Sequence, residues 1–329
     1  MGRPGEDALI ARHFAPLSGP GADALRDDAA CLRPSPGHDL VVTVDAVAAG
    51  IHYFPEDPPG SIARKALGVN CSDLAAKGAT PRGFLLTLAL PDDWTEAWLS
   101  AFAAGLGEAA RDFACPLLGG DTVRSGGPAL LSVTAFGEVP AGRMVRRPGA
   151  RPGDRLCVSG SIGDAALGLR LRLDPGGPLA AGLRPEERAP LLDRYLHPRP
   201  RLALAPALCA HARAAMDVSD GLAGDLAKML RLEGLTARIE RVAIPLSQAA
   251  AAALRLDPEL IETVLTGGDD YEILCAVPPG QLDAFLTEAA AAGVPATAIG
   301  TVVAGEGPPV FVDAAGAERR FAGGSFSHF

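Results

Sequence analysis

The sequence lacks the basic charge and the long apolar runs that two common classes of partner require. It carries 30 Lys and Arg against 39 Asp and Glu, which gives a formal net charge of −9 at pH 7. Because phosphate-backbone binding needs clustered basic residues, this balance argues against a nucleic-acid partner. No uninterrupted apolar stretch approaches the about 18 residues of a membrane span, and the first residues have no apolar signal core. We therefore expect a cytoplasmic protein with neither nucleic acid nor membrane as a partner.

Several common site signatures are also missing. The six cysteines include no C-x-x-C pair, and most lie in apolar runs, which indicates reduced core thiols rather than disulfides or a zinc site. The patterns G-x-x-x-x-G-K-[ST], G-x-G-x-x-G, H-E-x-x-H and G-x-S-x-G are absent. Any phosphate or metal site must therefore be built from other residues.

What the sequence does contain is an alternation of short apolar runs with longer amphipathic stretches. Over 329 residues of which 48% are hydrophobic, this pattern predicts an α/β (α+β) protein of two domains. Strands are predicted at 40–44, 84–90, 129–137 and 155–159, and helices at 61–78 and 95–113.

A stretch punctuated by Pro and Gly at 146–154 is the best domain boundary. We place the N-terminal domain at 1–148 and the C-terminal domain at 149–329. Residues 174–200 are rich in Pro and Gly around a short helix-like piece, which indicates a surface excursion.

The positions of the aspartates carry most of the functional information. They recur at the ends of apolar strands and inside glycine-flanked turns, where ligands are commonly held. The set comprises Asp28, Asp45, Asp121, Asp217, Asp220, Asp269 and Asp270. Any one of them alone could simply cap a helix or a turn. Their joint recurrence favours a shared ligand.

Asp73 is the sharpest case because helical spacing places it on an apolar stripe. The stripe consists of Ile62, Ala66, Val69, Asp73 and Ala76. A carboxylate carried toward the interior must be paired, hydrogen-bonded or metal-bound. We expect Asn70, one turn earlier on the same side, to be its polar companion.

Oxygen ligands in number, without a His pair or a Cys cluster, suit Mg²⁺ or Mn²⁺ and fit zinc poorly. Phosphates would complete such a coordination sphere. Backbone N–H groups at Gly119, Gly120 and Ser219 could bind them, and Arg147 could add a bidentate contact, although a solvated arginine is the plainer interpretation. His52 lies just beyond Asp45. It could contact a ligand by stacking or hydrogen bonding, or it could have no role in the site.

Taken together and in order, these segments resemble the thiamine-monophosphate kinase family. The matching segments are 27–30 (DDAA), 43–45 (TVD), 50–52 (GIH), 70–78 (NCSDLAAKG), 119–122 (GGDT), 149–154 (GARPGD), 217–222 (DVSDGL) and 267–272 (GGDDYE). No single motif is specific, but the collinear set is.

The resemblance implies a homodimer joined through the N-terminal sheets, an α/β C-terminal domain, and ATP-dependent phosphorylation of thiamine monophosphate to thiamine diphosphate. It implies several Mg²⁺ ions held by Asp28, Thr43, Asp45, Asp73, Asp121, Asp217 and Asp220. It places Gly120, Asp121, Arg147 and Ser219 at the nucleotide, and His52, Asp269 and Phe326 at the thiamine moiety. No residue acts as a general base in this scheme.

Three departures from the family pattern concern substrate contacts more than the metal site. Arg26 stands where glycine is usual, Asp269 where glutamate is usual, and Gly323 where an aromatic residue is frequent. The alternatives are another enzyme of the same superfamily, such as aminoimidazole ribonucleotide synthetase, or a non-catalytic nucleotide-binding protein. A metal-dependent phosphohydrolase is disfavoured because its usual His-rich ligand set is missing.

Overall fold

The computed structural model describes residues 5–321, and these residues form two units that each have their own sheet. The N-terminal unit comprises the residues up to Leu74 together with Ala79–Arg143. The C-terminal unit comprises Ala75–Gly78 and the residues from Met144 onward. The roles assigned to the two predicted domains stay a prediction.

The N-terminal unit contains a four-stranded mixed sheet and its helices. The strands are β1 (His38–Ala48), β2 (Thr80–Leu90), β3 (Leu117–Arg124) and β4 (Leu130–Pro140), and the helices are α1 (Glu6–Leu9), α2 (Pro59–Ala76) and α3 (Glu96–Asp112). The sheet order is β1-β4-β2-β3. Strands β2 and β3 are parallel, whereas β4 pairs antiparallel with both β1 and β2.

The predicted strands and helices of this unit are confirmed, with ends that shift by a few residues. Helix α3 begins where the sequence predicts, because the Thr95 hydroxyl accepts a hydrogen bond of 3.1 Å from the Trp98 N–H and so caps the first turn. Helices α2 and α3 approach closely at a glycine pair. A Cβ on Gly105 would lie 2.3 Å from the Gly60 Cα, so larger side chains there would push the helices apart.

The positions of Asp45 and Asp121 correct one sequence expectation. Both were expected to close their strands, but β1 continues to Ala48 and β3 to Arg124. Each aspartate is therefore an internal strand residue whose side chain direction is set by the pleat. The short apolar run ends earlier than the strand because backbone pairing with β4 and β2 continues past it.

The sheet buries one face and leaves part of the other exposed. Val41 and Val47 on β1 are buried, whereas Val42 and Val44 between them are 56% and 60% exposed. Alternation of this kind is what a sheet covered by helices on one side produces. The exposed large apolar side chains of β1 are Leu40, Val42 and Val44, and we call the surface that they form the outer sheet face.

Glu138 on β4 should make the stability of this unit depend on acid. Its carboxylate accepts hydrogen bonds from the Ser35 N–H at 3.0 Å and the Ser35 hydroxyl at 2.8 Å, and lies 2.6 Å from Arg82. Burial opposes its charged form, but these partners outweigh burial and lower the pKa of Glu138 from 4.5 to about 2. A lowered carboxyl pKa stabilises the fold above pH 4.5, and that contribution is lost as the pH falls toward 2.

We expect Glu138→Gln to be less stable than wild type at neutral pH and to lose less stability on acidification, because it has no charge to lose. Urea unfolding at pH 7 and pH 3 checks this, with exposed Glu108→Gln on α3 as the control. Parallel losses on acidification in wild type and Glu138→Gln would contradict the assignment.

The C-terminal unit is a seven-stranded sheet covered by helices on both faces. Its strands are β5 (Arg155–Ser159), β6 (Ala214–Val218), β7 (Leu235–Glu240), β8 (Glu272–Val277), β9 (Ala296–Ala304), β10 (Val310–Val312) and β11 (Glu318–Arg319). Its helices are α4 (Asp164–Leu173), α5 (Pro178–Gly182), α6 (Pro185–Leu196), α7 (Ala205–His211), α8 (Leu222–Arg231), α9 (Gln248–Leu256), α10 (Leu260–Thr266) and α11 (Leu282–Ala291). The sheet order is β11-β10-β7-β9-β5-β8-β6.

Two cores cover the two faces of this sheet. Leu156 and Val158 of β5 pack into a core with α4, α8 and α10, while Cys157 between them packs into a second core with α7 and α11. Both faces of β5 are therefore buried, which explains why its run reads as continuously apolar. The six cysteines, all within residues 5–321, form no disulfide, and four of them are buried.

The expectation of a surface excursion at 174–200 is wrong. Helix α6 packs against α4, and Leu191, Arg194 and Tyr195 are buried. Most Pro and Gly residues of the segment lie in turns or at helix ends, and only Pro190 lies inside α6, so composition concealed a core helix. Among residues 5–321, every helix is too short or too polar to span a bilayer.

Candidate active site

The predicted ligands of the N-terminal unit fall into two groups, and the first lies between β1 and α2. The Thr43 hydroxyl donates a hydrogen bond to the carboxylate of Asp73, which is half-buried. The Asp45 N–H donates to the Asn70 Oδ1 at 2.9 Å, and the Asn70 side chain also donates to the Ala66 carbonyl at 3.0 Å. The structure thus places Thr43 beside Asp73, and Asn70 holds the backbone of Asp45 instead.

The second group lines a cavity of about 930 Å³. Asp28, Gly120 and Asp121 supply part of its wall, and apolar side chains such as Ile10, Phe14, Leu25, Leu32 and Leu40 supply another. This volume and this mixture of acidic and apolar lining suit a small-molecule ligand. A Cβ on Gly120 would lie 2.0 Å from the Leu86 carbonyl oxygen, so glycine is required where β3 approaches β2 beside the cavity.

Arg26 is accommodated without strain at the cavity wall. Its own φ is −96°, an ordinary value, while the left-handed values fall on Asp23, Ala24 and Leu25. The Arg26 guanidinium lies 2.7 Å from the Asp23 carboxylate. An arginine at this position therefore does not by itself distort the turn.

One chain does not bring these two groups together. Asp45 of β1 pairs with Val133 of β4, which pairs with Leu86 of β2, which in turn pairs with Gly120 of β3. Asp121, the residue after Gly120, pairs with Thr87 instead. Asp45 and Asp121 thus belong to alternate rows, whose side chains leave opposite faces. Their strands are at opposite edges, three spacings or about 14 Å apart. Among residues 5–321, no three His, Cys, Asp or Glu side chains are grouped so as to hold a metal ion.

The third group lies in the C-terminal unit, at the end of β6 and the start of α8. Asp217 is a buried residue of β6, and Ser219 and Asp220 form the turn that follows. The Asp220 carboxylate contacts the Lys228 ammonium. The backbone N–H of Asp220 donates to the Asp225 carboxylate at 2.9 Å.

Asp225 is a residue that the sequence analysis did not single out. It is fully buried and lies 3.0 Å from the Lys228 ammonium. Burial raises the pKa of Asp225 against the opposing effect of Lys228. Asp225 anchors the turn that carries Asp220. It lies one helical turn beyond segment 217–222, and this spacing is the sequence signal by which it could have been found.

The remaining predicted residues lie in different surroundings. Asp269 is half-buried and its N–H donates to the Ser219 carbonyl at 2.8 Å. His52 follows β1, and its Nδ1 accepts the Ala48 N–H at 3.0 Å. Arg147 is exposed in the segment before β5. Phe326 and Gly323 lie outside the described residues.

The two-sheet architecture and the acidic segments define a class of protein. The chain matches the family model of the AIR synthase related protein N-terminal domain over residues 26–139 and that of the C-terminal domain over residues 151–313. It is therefore an AIR synthase-related protein.

Relatives within that class narrow the family further. The chain is 44% identical to thiamine-monophosphate kinase of Caulobacter vibrioides, over 92% of this chain and 86% of the relative. It is 37% identical to the enzyme of Escherichia coli K12, over 94% and 96% respectively. The chain belongs to the thiamine-monophosphate kinase family.

Solved structures agree with this assignment. The thiamine-monophosphate kinase of Stenotrophomonas maltophilia superposes with a TM-score of 0.78 at 38% identity, covering 89% of this chain and 91% of that one. The AaThiL protein, complexed with AMPPCP and TMP, gives a TM-score of 0.77 at 28% identity, covering 98% and 94%. The fold is thus a mixed α/β fold with two AIR synthase-type domains, as predicted.

Proposed function

We propose that this chain transfers the terminal phosphoryl group of ATP to thiamine monophosphate, giving thiamine diphosphate and ADP. The observation that carries the proposal is the cavity lined by Asp28, Gly120 and Asp121 in a chain 44% identical to a thiamine-monophosphate kinase. Its acidic wall suits cation-bound phosphates, and its apolar wall suits a base or ring.

The donor chemistry of the predicted ligands fits Mg²⁺. All of them offer carboxylate or hydroxyl oxygens, which hard divalent cations prefer. They are Asp28, Thr43, Asp45, Asp73, Asp121, Asp217 and Asp220. When bound, Mg²⁺ would offset the repulsion between the two phosphate groups.

The residues of the chain then have to bind and align two anionic molecules. The attacking phosphate oxygen is already ionised at neutral pH, so no side chain has to remove a proton. We assign Gly120, Asp121, Arg147 and Ser219 to the nucleotide and His52, Asp269 and Phe326 to the thiamine moiety. The hydrogen bond between the Asp269 N–H and the Ser219 carbonyl supports adjacent nucleotide and substrate positions in the C-terminal unit.

A homodimer is part of the proposal because one N-terminal unit holds its acidic groups apart. Asp45 and Asp73 lie at the β1 edge, and Asp121 lies near the β3 edge on the other face. Contact between the outer sheet faces of two copies, with the β1 edge of one copy beside the β3 edge of the other, would bring the two groups together at each site. The exposed Val42 and Val44 support such a contact, since paired apolar faces exclude water. The cytoplasmic location stays a prediction.

Incubation of the purified chain with ATP, Mg²⁺ and thiamine monophosphate tests the reaction. We expect thiamine diphosphate and ADP in equal amounts, separated and quantified by liquid chromatography. ADP with unchanged thiamine monophosphate would indicate hydrolysis instead. Absence of ADP would indicate a non-catalytic nucleotide-binding protein. Omission of Mg²⁺, with EDTA present, is expected to abolish product formation.

A further inference from the structure

The loop at 267–272 holds two residues in a backbone conformation that only its surroundings can maintain. Asp269 has φ 72° and Tyr271 has φ 51°, values that non-glycine residues rarely adopt. Two backbone hydrogen bonds of 2.8 Å tie the loop to the end of β6, from the Asp269 N–H to the Ser219 carbonyl and from the Tyr271 N–H to the Val218 carbonyl. These two bonds fix the backbone at Asp269 and Tyr271 but do not involve Asp270 or Glu272.

Arg194 of α6 braces those residues from the interior. Its Nη2 donates to the Asp270 carbonyl at 2.7 Å and to the Glu272 Oε1 at 2.9 Å. The Arg194 side chain is 5% exposed and that of Glu272 is fully buried. One guanidinium nitrogen therefore holds the two residues that flank Tyr271, in surroundings where charge-assisted hydrogen bonds are strong.

Other groups complete the anchoring of Asp270 and Glu272. The Asp270 carboxylate accepts the Gly163 N–H at 2.7 Å. The Glu272 carboxylate accepts the Ser159 hydroxyl and the Arg201 Nε, each at 2.6 Å. Without Arg194, the Glu272 carboxylate would keep Ser159 and Arg201 as partners, whereas the Asp270 carbonyl would lose its contact with a guanidinium group. Loss of Arg194 should loosen the loop more than it unpairs the buried carboxylate.

We propose that Arg194 is a positioning residue for substrate binding, which fixes the left-handed turn and so presents Asp269 beside Ser219. This inference rests on the proposed function, because Asp269 is assigned to the thiamine moiety there. Arg194 itself is buried and would touch neither substrate. Its effect is therefore expected on the binding of thiamine monophosphate and not on that of ATP.

Two substitutions separate this role from a general effect on folding. Arg194→Met removes both hydrogen bonds, whereas Arg194→Lys keeps a charge beside Glu272 but lacks the rigid fork of the guanidinium. The matched control is Arg155→Met. Arg155 is a half-buried residue of β5 in the C-terminal unit, and it donates to the Thr301 hydroxyl at 3.2 Å instead of to the loop.

Steady-state kinetics and amide hydrogen exchange together test the proposal. In Arg194→Met we expect the KM for thiamine monophosphate to rise about tenfold, the KM for ATP to stay within about twofold, and the Lys variant to be intermediate. Exchange at the Asp269 and Tyr271 amides should accelerate in both variants and not in the control. If the Met variant does not fold, the Lys variant tests the proposal with a smaller expected rise in the KM for thiamine monophosphate and the same faster exchange.

The opposite results are equally distinct. An unchanged KM for thiamine monophosphate in a folded Arg194 variant, or equal changes in both KM values, would overturn the role of Arg194. A wild-type chain that forms no thiamine diphosphate would instead contradict the proposed function, before any variant is compared.

Discussion

Asp73→Asn and Asp121→Asn are each expected to lower kcat about 10²–10³-fold while leaving the fold intact. The amide has nearly the shape of the carboxylate but no charge, so it cannot neutralise a divalent cation. At position 73 an amide oxygen can still accept the Thr43 hydroxyl. Asp121 is exposed on β3 at the cavity wall, so neither substitution leaves a buried group without a partner.

Asp92→Asn is the control for these two variants. Asp92 is exposed, lies 2.7 Å from Arg124 and has no assigned role. Thiamine diphosphate formation at saturating Mg²⁺ measures kcat, and thermal unfolding checks the fold. Wild-type kcat in either Asp73→Asn or Asp121→Asn would remove that residue from the metal site.

Val44→Asp is expected to convert the proposed dimer into a monomer by weakening its association at least about a hundredfold, because it buries an unpaired charge in an apolar contact. Val44 is 60% exposed near the middle of β1, on the outer sheet face. Sedimentation velocity measures the change. Val242→Asp is the control, since Val242 is 74% exposed but belongs to the C-terminal unit.

A mixing experiment distinguishes a shared site from a dimer of independent sites. A dimer of one Asp73→Asn chain and one Asp121→Asn chain would hold one intact site if each site takes Asp73 and Asp121 from different copies. Random reassociation of the two inactive variants should then restore about a quarter of wild-type activity. A mixture that stays inactive although the chains exchange, or a Val44→Asp chain that remains dimeric, would contradict this arrangement.

Local patterns predicted the secondary structure well where one period dominates. Helix α3 follows the sequence prediction almost residue for residue, because its apolar stripe and its Thr95 cap are both local signals. Strand β5 is confirmed at 155–159. The prediction of a surface excursion at 174–200 was wrong because Pro and Gly are also local signals. The burial of Arg194 depends instead on α4 and on the loop at 267–272.

The aspartate pattern identified the segments that surround the cavity and the turn after β6, but it could not assign partners. Asn70 was expected beside Asp73 because the two are close along α2, and it bonds the Asp45 backbone instead. Helical spacing shows which face a side chain shares and says nothing of the strand that packs there. The residue roles carried over from the family stay predictions.

By itself, the sequence determined the class of this protein, its family and the kinds of ligand atom it offers, because these depend on residue type and order. Only the tertiary structure decided that Asp45 and Asp121 lie on opposite faces of one sheet and that Arg194 reaches the loop of Asp269. Those relations depend on strand order and helix packing. Both join residues that are far apart along the chain, where no local spacing rule applies.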